Sequence, residues 1–268
     1  MSVYRGMDIG TAKPGAAQRA RIRHHLVDIM DVTQTASVAE FQALARAAIA
    51  EVRSRGVVPI LVGGSSLYIR AIVDHFDFPG TDPQVRAKWQ AELDRIGPHA
   101  LHQVLAGQHP QAAAAILPGN GRRIVRALEV IELTGDFAPT LPEPRYELAE
   151  VHQFGLQLDR AEMDQRIATR VQQMWDEGLV AEVRQLKAAG LEQGPTASRG
   201  LGYKQVLEFL ADELTEQEAM QATIDGTRRF ARKQLGWFNR DPRIVWVPAG
   251  DPQAASQIAS RLGFAVTH

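Results

Sequence analysis

The sequence predicts an α/β fold, a core built on a parallel sheet and interrupted by a helical insertion. Three observations predict it. Residues 37–76 read helix, apolar run, glycine pair, helix, the order in which parallel strands and their covering helices alternate. After a break at Pro79-Gly80-Thr81-Asp82-Pro83, residues 83–134 turn almost wholly helical. Strand-like runs return at Val151–Leu158 and Ile244–Val247, with helical sequence between them. The core is therefore expected over 1–81 and 147–268, and the insertion over 82–146.

Each element has a local cause. Ser37 and Glu40 stand at capping-box spacing, and Val38, Phe41, Leu44, Ala48 and Val52 repeat with helical period up to Gly56. Val57-Val58-Pro59-Ile60-Leu61-Val62 is apolar on both alternations, which predicts a strand buried on both faces. Helical periodicity resumes from Tyr68 to Phe76. In the insertion, short helices are expected over 87–96, 100–105 and 112–116, then a longer one from Asn120, as N-cap, to about Leu133. Pro139, Pro142 and Pro144 mark residues 135–146 as a linker. Asp159 caps a helix over 160–177, others follow near 180–189, 203–210 and 215–239, and a short terminal helix lies within 248–268.

Composition excludes several classes. Apolar residues at 45% and charged residues at 23% suit a globular chain with a substantial core. The absence of cysteine removes disulfides, thiolate nucleophiles and cysteine metal sites. His24, His25, His99 and His102 have no matched ligand partners, so no protein metal site is expected. Without an apolar signal core or an 18-residue apolar run, a soluble cytoplasmic protein, free of membrane, is expected. A net charge of -1 conceals any nucleic-acid surface, which must be sought locally.

Four stretches could carry chemistry. Gly63-Gly64-Ser65-Ser66-Leu67-Tyr68 joins the apolar run to a helix start, where backbone N–H groups attract anions; a plain tight turn capped by Ser65 reads equally from the motif. Ser198-Arg199-Gly200-Leu201-Gly202-Tyr203-Lys204-Gln205 sets an arginine in a glycine-flanked loop, either solvated or suited to a diphosphate that gains charge. Asn120-Gly121-Arg122-Arg123-Ile124-Val125-Arg126-Ala127-Leu128-Glu129 crowds three arginines at one helix end, a solubilising face or a phosphate contact. Arg228, Arg229, Arg232, Lys233 and Arg240 form a run with no acid between them, interleaved with Phe230, Trp237 and Phe238. Such a stripe suits a phosphate backbone, while the aromatics equally face a core. Arg160, Arg166 and Arg170 ride one helix, facing either a ligand or Glu162 and Asp164.

The opening run Tyr4-Arg5-Gly6-Met7-Asp8-Ile9-Gly10-Thr11-Ala12-Lys13-Pro14 resembles a signature of the tRNA dimethylallyltransferase family. So do the Gly-Gly-Ser turn, the Arg199 octapeptide, Asp82-Pro83-x-Val85-Arg86, the Arg122–Glu129 block and Thr227–Phe238, in the family's order and over nearly the whole chain. The resemblance implies a P-loop-NTPase-like sheet and an insertion that grips the anticodon stem-loop of tRNA. It further implies a channel where N6 of adenosine 37, flipped out, attacks dimethylallyl diphosphate. By resemblance Arg199 and Ser65 are catalytic. Arg86, Arg122, Arg123, Ile124, Val125 and Arg126 contact tRNA, as do Ile224, Asp225, Gly226, Thr227, Arg228 and Arg229. Tyr4, Asp8, Gly63, Gly64, Tyr68 and Arg160 line the channel. Mg²⁺ accompanies the diphosphate, and a monomer is expected.

The same resemblance defines a departure. No Gly-x-x-x-x-Gly-Lys-Ser/Thr occurs among the 268 residues, and neither Asp8 nor Asp28 is equivalent to the family's catalytic aspartate. An internal Met taken as the start, or a truncated gene, would account for this. The chain as written is expected to be poorly active, with strand edges left unpaired and apolar surface bare. The alternatives are a non-catalytic tRNA-binding remnant and an isopentenyltransferase acting on a free adenine nucleotide.

Overall fold

The computed structural model describes residues 1–138 and 140–264. Pro139 of the expected linker and residues 265–268 of the expected loose end lie outside the described residues. The chain forms two compact units, one of Met1–Val73 with Leu148–His268 and one of Asp74–Glu147. In chain order the first contributes α1 (Ala16–Arg21), α2 (Val38–Ser54) and α3 (Ser66–Val73). The second holds α4 (Pro83–Gln108), α5 (Pro110–Ala114) and α6 (Gly121–Thr134). The first resumes with β1 (Gln153–Gln157), α7 (Arg160–Asp176), α8 (Leu179–Ala188), α9 (Tyr203–Leu210), α10 (Glu216–Phe238), β2 (Ile244–Pro248) and α11 (Ala254–Arg261).

β1 and β2 pair in parallel, from Gln153 opposite Ile244 to Gln157 opposite Pro248. A parallel pair needs a long crossover, and α7 to α10 supply it. Tyr4, Met7, Leu179, Val183, Leu191 and Tyr203 are buried in the core of this unit. Their positions explain the opening run: its apolar residues are core, and its polar ones are tied down around it. Parallel pairing of Tyr4 with Met30 anchors the run, through Ile29 N–H to Val3 O at 2.8 Å and Arg5 N–H to Met30 O at 2.9 Å.

Local signals act as their chemistry requires. The Ser37 hydroxyl accepts from Glu40 N–H at 3.1 Å and starts α2. Asp159 accepts from Ala161 and Glu162 N–H at 2.8 and 3.2 Å and starts α7. Asn120 accepts from Arg123 N–H and starts α6, which Gly135 closes at φ 82°.

The structure corrects three expectations. Val57–Val62 forms no ladder, because no described segment runs beside it. Pro59 apart, its residues are exposed on both alternations, Ile60 at 85% and Leu61 at 41%. The helices expected over 87–96 and 100–105 are one run, α4, broken only at Gly97 (φ 78°) before Pro98. The second unit begins at Asp74 rather than Asp82, because the residues between are bonded into it. His75 N–H reaches Arg145 O at 2.8 Å, and the Pro79 and Gly80 carbonyls accept from Arg126. Its core joins Leu101 and Leu105 of α4 to Ile124 and Leu128 of α6, all fully buried.

Candidate functional site

In the first unit, two hydrogen-bonded groups fix the opening run. Tyr203, the first residue of α9, is buried; its hydroxyl donates to Glu182 Oε1 of α8 at 2.6 Å and accepts from Gly10 N–H at 3.2 Å. The other Glu182 oxygen accepts from Asp8 and Ile9 N–H at 3.2 and 3.0 Å. Burial, then the hydrogen bond to Glu182, pushes the Tyr203 phenol far above its ordinary range, so it stays a neutral donor. Gly10 permits the close approach, since a Cβ there would lie 2.5 Å from Tyr203 Cε2.

The second group centres on Lys13, whose side chain is 1% exposed. Its ammonium donates to Tyr4 O at 2.8 Å, Asp8 Oδ1 at 2.6 Å and Asp28 Oδ1 at 2.5 Å. Arg19 holds the other Asp28 oxygen at 2.7 Å. Burial alone would raise the Asp28 carboxyl, but Lys13 and Arg19 hold it below the usual carboxylate range. A cavity of about 190 Å³ opens here, lined by Asp8, Lys13, Arg170 and Glu177 among others. Neither Ser65 nor Arg199 lines it.

The sequence-derived site residues of this unit fall into distinct settings. Arg199 is exposed, just before the glycines that lead into Tyr203, and no described residue pairs with it. Gly200 lies close to Met1, where a Cβ would be 2.9 Å from the Met1 Cε. The Arg199 loop and the opening run are therefore neighbours. Ser65 is exposed immediately before α3, and its carbonyl accepts from Ile69 N–H at 2.9 Å. Gly63 is exposed, while the Gly64 carbonyl accepts from the Gln234 amide of α10. Tyr68 is half-buried edge-on to Phe41, ring centroids 5.3 Å apart; burial, then Tyr4, raises its phenol. Tyr4 is fully buried, its hydroxyl donating to Gln34 O at 3.1 Å, so it packs rather than lines an open channel. Asp8 and Arg160 are exposed. No hydrogen bond joins Ser65 to Arg199 among the described residues.

The basic stripe of α10 is only partly free. Arg228 donates to Asp164 O at 3.3 Å and lies 3.9 Å from its carboxylate, with Asp225 at 3.7 Å. Arg229, Arg232 and Lys233 are exposed beside exposed Phe230 and Trp237. Ile224 packs against the core and Gly226 is buried under Leu201, so neither presents a side chain to a ligand. The Thr227 hydroxyl bonds back to Thr223 O at 2.7 Å. Arg166 pairs with Glu162 at 2.6 Å, the structural alternative.

The second unit divides its block similarly. Arg122 and Arg123 are exposed at the start of α6. Ile124 and Val125 are core residues, 0% and 4% exposed, which corrects their assignment as nucleic-acid contacts: helical geometry turns them toward Leu101 and Leu105. Arg86 and Arg126 both bond to Glu129, a buried carboxylate that sequence reasoning quoted without a role. Lys13, Glu182 and Tyr203 were missed likewise. Lys13 and Tyr203 were signalled only by their place inside quoted motifs, and Glu182 stood in none.

Comparison with known proteins follows this geometry. The family model described as IPP transferase matches residues 2–241. A tRNA dimethylallyltransferase of Kineococcus radiotolerans is 59% identical over 263 residues, covering 98% of this chain and 83% of that protein. The crystal structure of the full-length tRNA isopentenylpyrophosphate transferase from Bacillus halodurans superimposes with a TM-score of 0.69 at 37% identity, over 98% of this chain and 84% of that one. A eukaryotic dimethylallyltransferase acting on tRNA shares the fold at a TM-score of 0.81 and 22% identity, over 100% and 73% of the two chains. No described helix is long and apolar enough to cross a membrane. With its family model spanning both units and 83% of the Kineococcus radiotolerans relative matched at 59% identity, the chain belongs to the IPP transferase family.

Proposed function

We propose that the chain transfers a dimethylallyl group from dimethylallyl diphosphate to N6 of adenosine 37 in tRNA. One observation carries the reading beyond family membership: two motifs far apart in sequence are locked together. Tyr203 and Gly10, 193 residues apart, share a hydrogen bond at 3.2 Å, and Gly200, next to Arg199, lies against Met1 just ahead of the opening run.

In this reading the N6 lone pair forms a bond to the allylic carbon as the carbon–oxygen bond to diphosphate breaks. The leaving oxygens gain charge, and Arg199, with no partner among the described residues to surrender, offers them its forked donors. Ser65 stands at a helix start, where an exposed hydroxyl can orient the acceptor nucleoside. The N6 proton must pass to a base, and none of the residues described above is assigned that step. Among the described residues no three His, Asp or Glu groups converge to hold a metal. A Mg²⁺ held by such a cluster of side chains alone does not fit the described residues. Binding of the anticodon stem-loop is assigned to the exposed cations Arg122, Arg123, Arg229, Arg232 and Lys233.

The test is transfer by the purified chain from labelled dimethylallyl diphosphate to an anticodon stem-loop RNA, with AMP as competing acceptor. Alkylated RNA is expected, with Arg199→Ala lowering kcat by roughly a hundredfold or more at unchanged RNA affinity. Preferential alkylation of AMP would overturn the tRNA assignment. RNA binding without transfer would reduce the reading to a non-catalytic tRNA-binding protein.

A further inference from the structure

Glu129 in α6 is fully buried, and its carboxylate is saturated. Oε1 accepts from the Thr81 hydroxyl at 2.5 Å and Asp82 N–H at 3.2 Å. Oε2 accepts from Arg86 Nε and Nη2 at 3.1 and 2.8 Å and from Arg126 Nη1 at 3.0 Å. Burial alone would raise this carboxyl, but Thr81, Arg86 and Arg126 hold it below its ordinary range. Two further donors of Arg126 go to Pro79 O at 2.7 Å and Gly80 O at 3.0 Å. Arg86 bonds Glu129 through one edge only, and its side chain stays 49% exposed. Two guanidinium groups brought to one point repel each other unless an anion lies between them.

We propose that Glu129 is a positioning residue for RNA recognition, clamping Arg86 and Arg126 into one fixed cationic pair whose outward side meets phosphate. Arg126 lies one turn beyond Arg122, so the clamp extends the exposed cationic end of α6 with side chains already ordered before RNA arrives. Preordered donors lose less conformational freedom on binding. The inference rests on the reading that the chain binds tRNA, and it makes a prediction opposite to simple charge counting. Glu129→Gln adds one net positive charge, which favours any RNA non-specifically. It also replaces an acceptor by a donor facing two arginines, which drives them apart.

The experiment measures affinity of the full chain, at fixed salt, for a synthetic anticodon stem-loop hairpin and for an unstructured RNA of equal length. Glu129→Gln is expected to weaken hairpin binding about tenfold while unstructured RNA binds as well or better. Arg86→Ala should weaken hairpin binding severalfold in the parent chain and hardly at all in the Glu129→Gln background, the signature of coupled residues. Equal losses for both RNAs, or the same Arg86→Ala effect in both backgrounds, would mean a purely structural carboxylate and overturn the proposal. Should Glu129→Gln fail to fold, Glu129→Asp enters the same cycle. It keeps the charge but withdraws it by one methylene, so unaltered hairpin preference in that variant overturns the proposal. Loss of the preference only in the variants supports the clamp. A parent chain that does not prefer the hairpin sinks the tRNA reading itself, and the clamp with it.

Discussion

Gly10 and Tyr203 show how much a single side chain decides. A methyl group at residue 10 would stand 2.5 Å from the tyrosine ring, closer than packed carbons approach. Gly10→Ala is therefore expected to cost about 1–3 kcal/mol of stability, read from urea unfolding, because the ring has no room to retreat within the core. Buried carboxylates give a second prediction, whose sign follows from their direction of shift. Glu129 and Asp28 are both held below the ordinary carboxylate range when folded. Their contribution to stability is complete above the unfolded value, near pH 4, and is lost as pH falls through the folded one. Melting temperature should drop as pH falls below about 4, less steeply in Glu129→Gln. Residues that act on their immediate neighbours, such as Ser37, Asn120 and Asp159, were legible in the sequence because a cap needs only three or four residues of context. Glu129 and Lys13 were not, since Thr81 and Arg86 reach Glu129 from a separate segment and the loop that folds Tyr4, Asp8 and Asp28 around Lys13 follows no spacing rule.

At the level of elements, the helices followed their periodicity and the extended segments did not all follow theirs. Ser37→Ala should cost α2 about 1 kcal/mol, the usual worth of an N-cap. Val57–Val62 is the instructive failure. Its apolar run predicted a strand with both faces covered, yet a strand is defined by its neighbours, and no described segment pairs with it. Ile60→Lys and Val62→Lys each replace a side chain more than four-fifths exposed. Each is expected to change stability by no more than about 0.5 kcal/mol, measured by denaturant midpoint. A doubly covered strand would instead unfold on receiving an unpaired charge. β1 and β2 were legible as two strand-like runs, whereas their pairing and register required the structure.

For the whole molecule, the division into two units places one apolar core and one saturated carboxylate wholly within residues 74–147. That segment, expressed alone, should keep its helical circular dichroism and melt cooperatively, because the burial that stabilises it is internal. Exposed cations in both units set the response of RNA binding to salt. Affinity should fall linearly in log–log form, and Arg122→Ala or Arg232→Ala should each flatten the slope by roughly 0.7–0.9 if that side chain neutralises one phosphate. The order of motifs along the chain made the family legible before any coordinates. What the order left open was which basic residues are engaged: Arg86 and Arg228 meet acids far off in sequence, and Arg126 meets Glu129 within its own block.

The enclosure of Lys13 gives the molecule a built-in reporter. Amine-reactive reagents should acetylate Lys88, Lys187 and Lys204, whose side chains are 59%, 36% and 56% exposed, long before they reach an ammonium that is 1% exposed. The rate at which Lys13 becomes labelled would then time the spontaneous loosening of the first thirty residues, independently of whether the rest of the chain has melted.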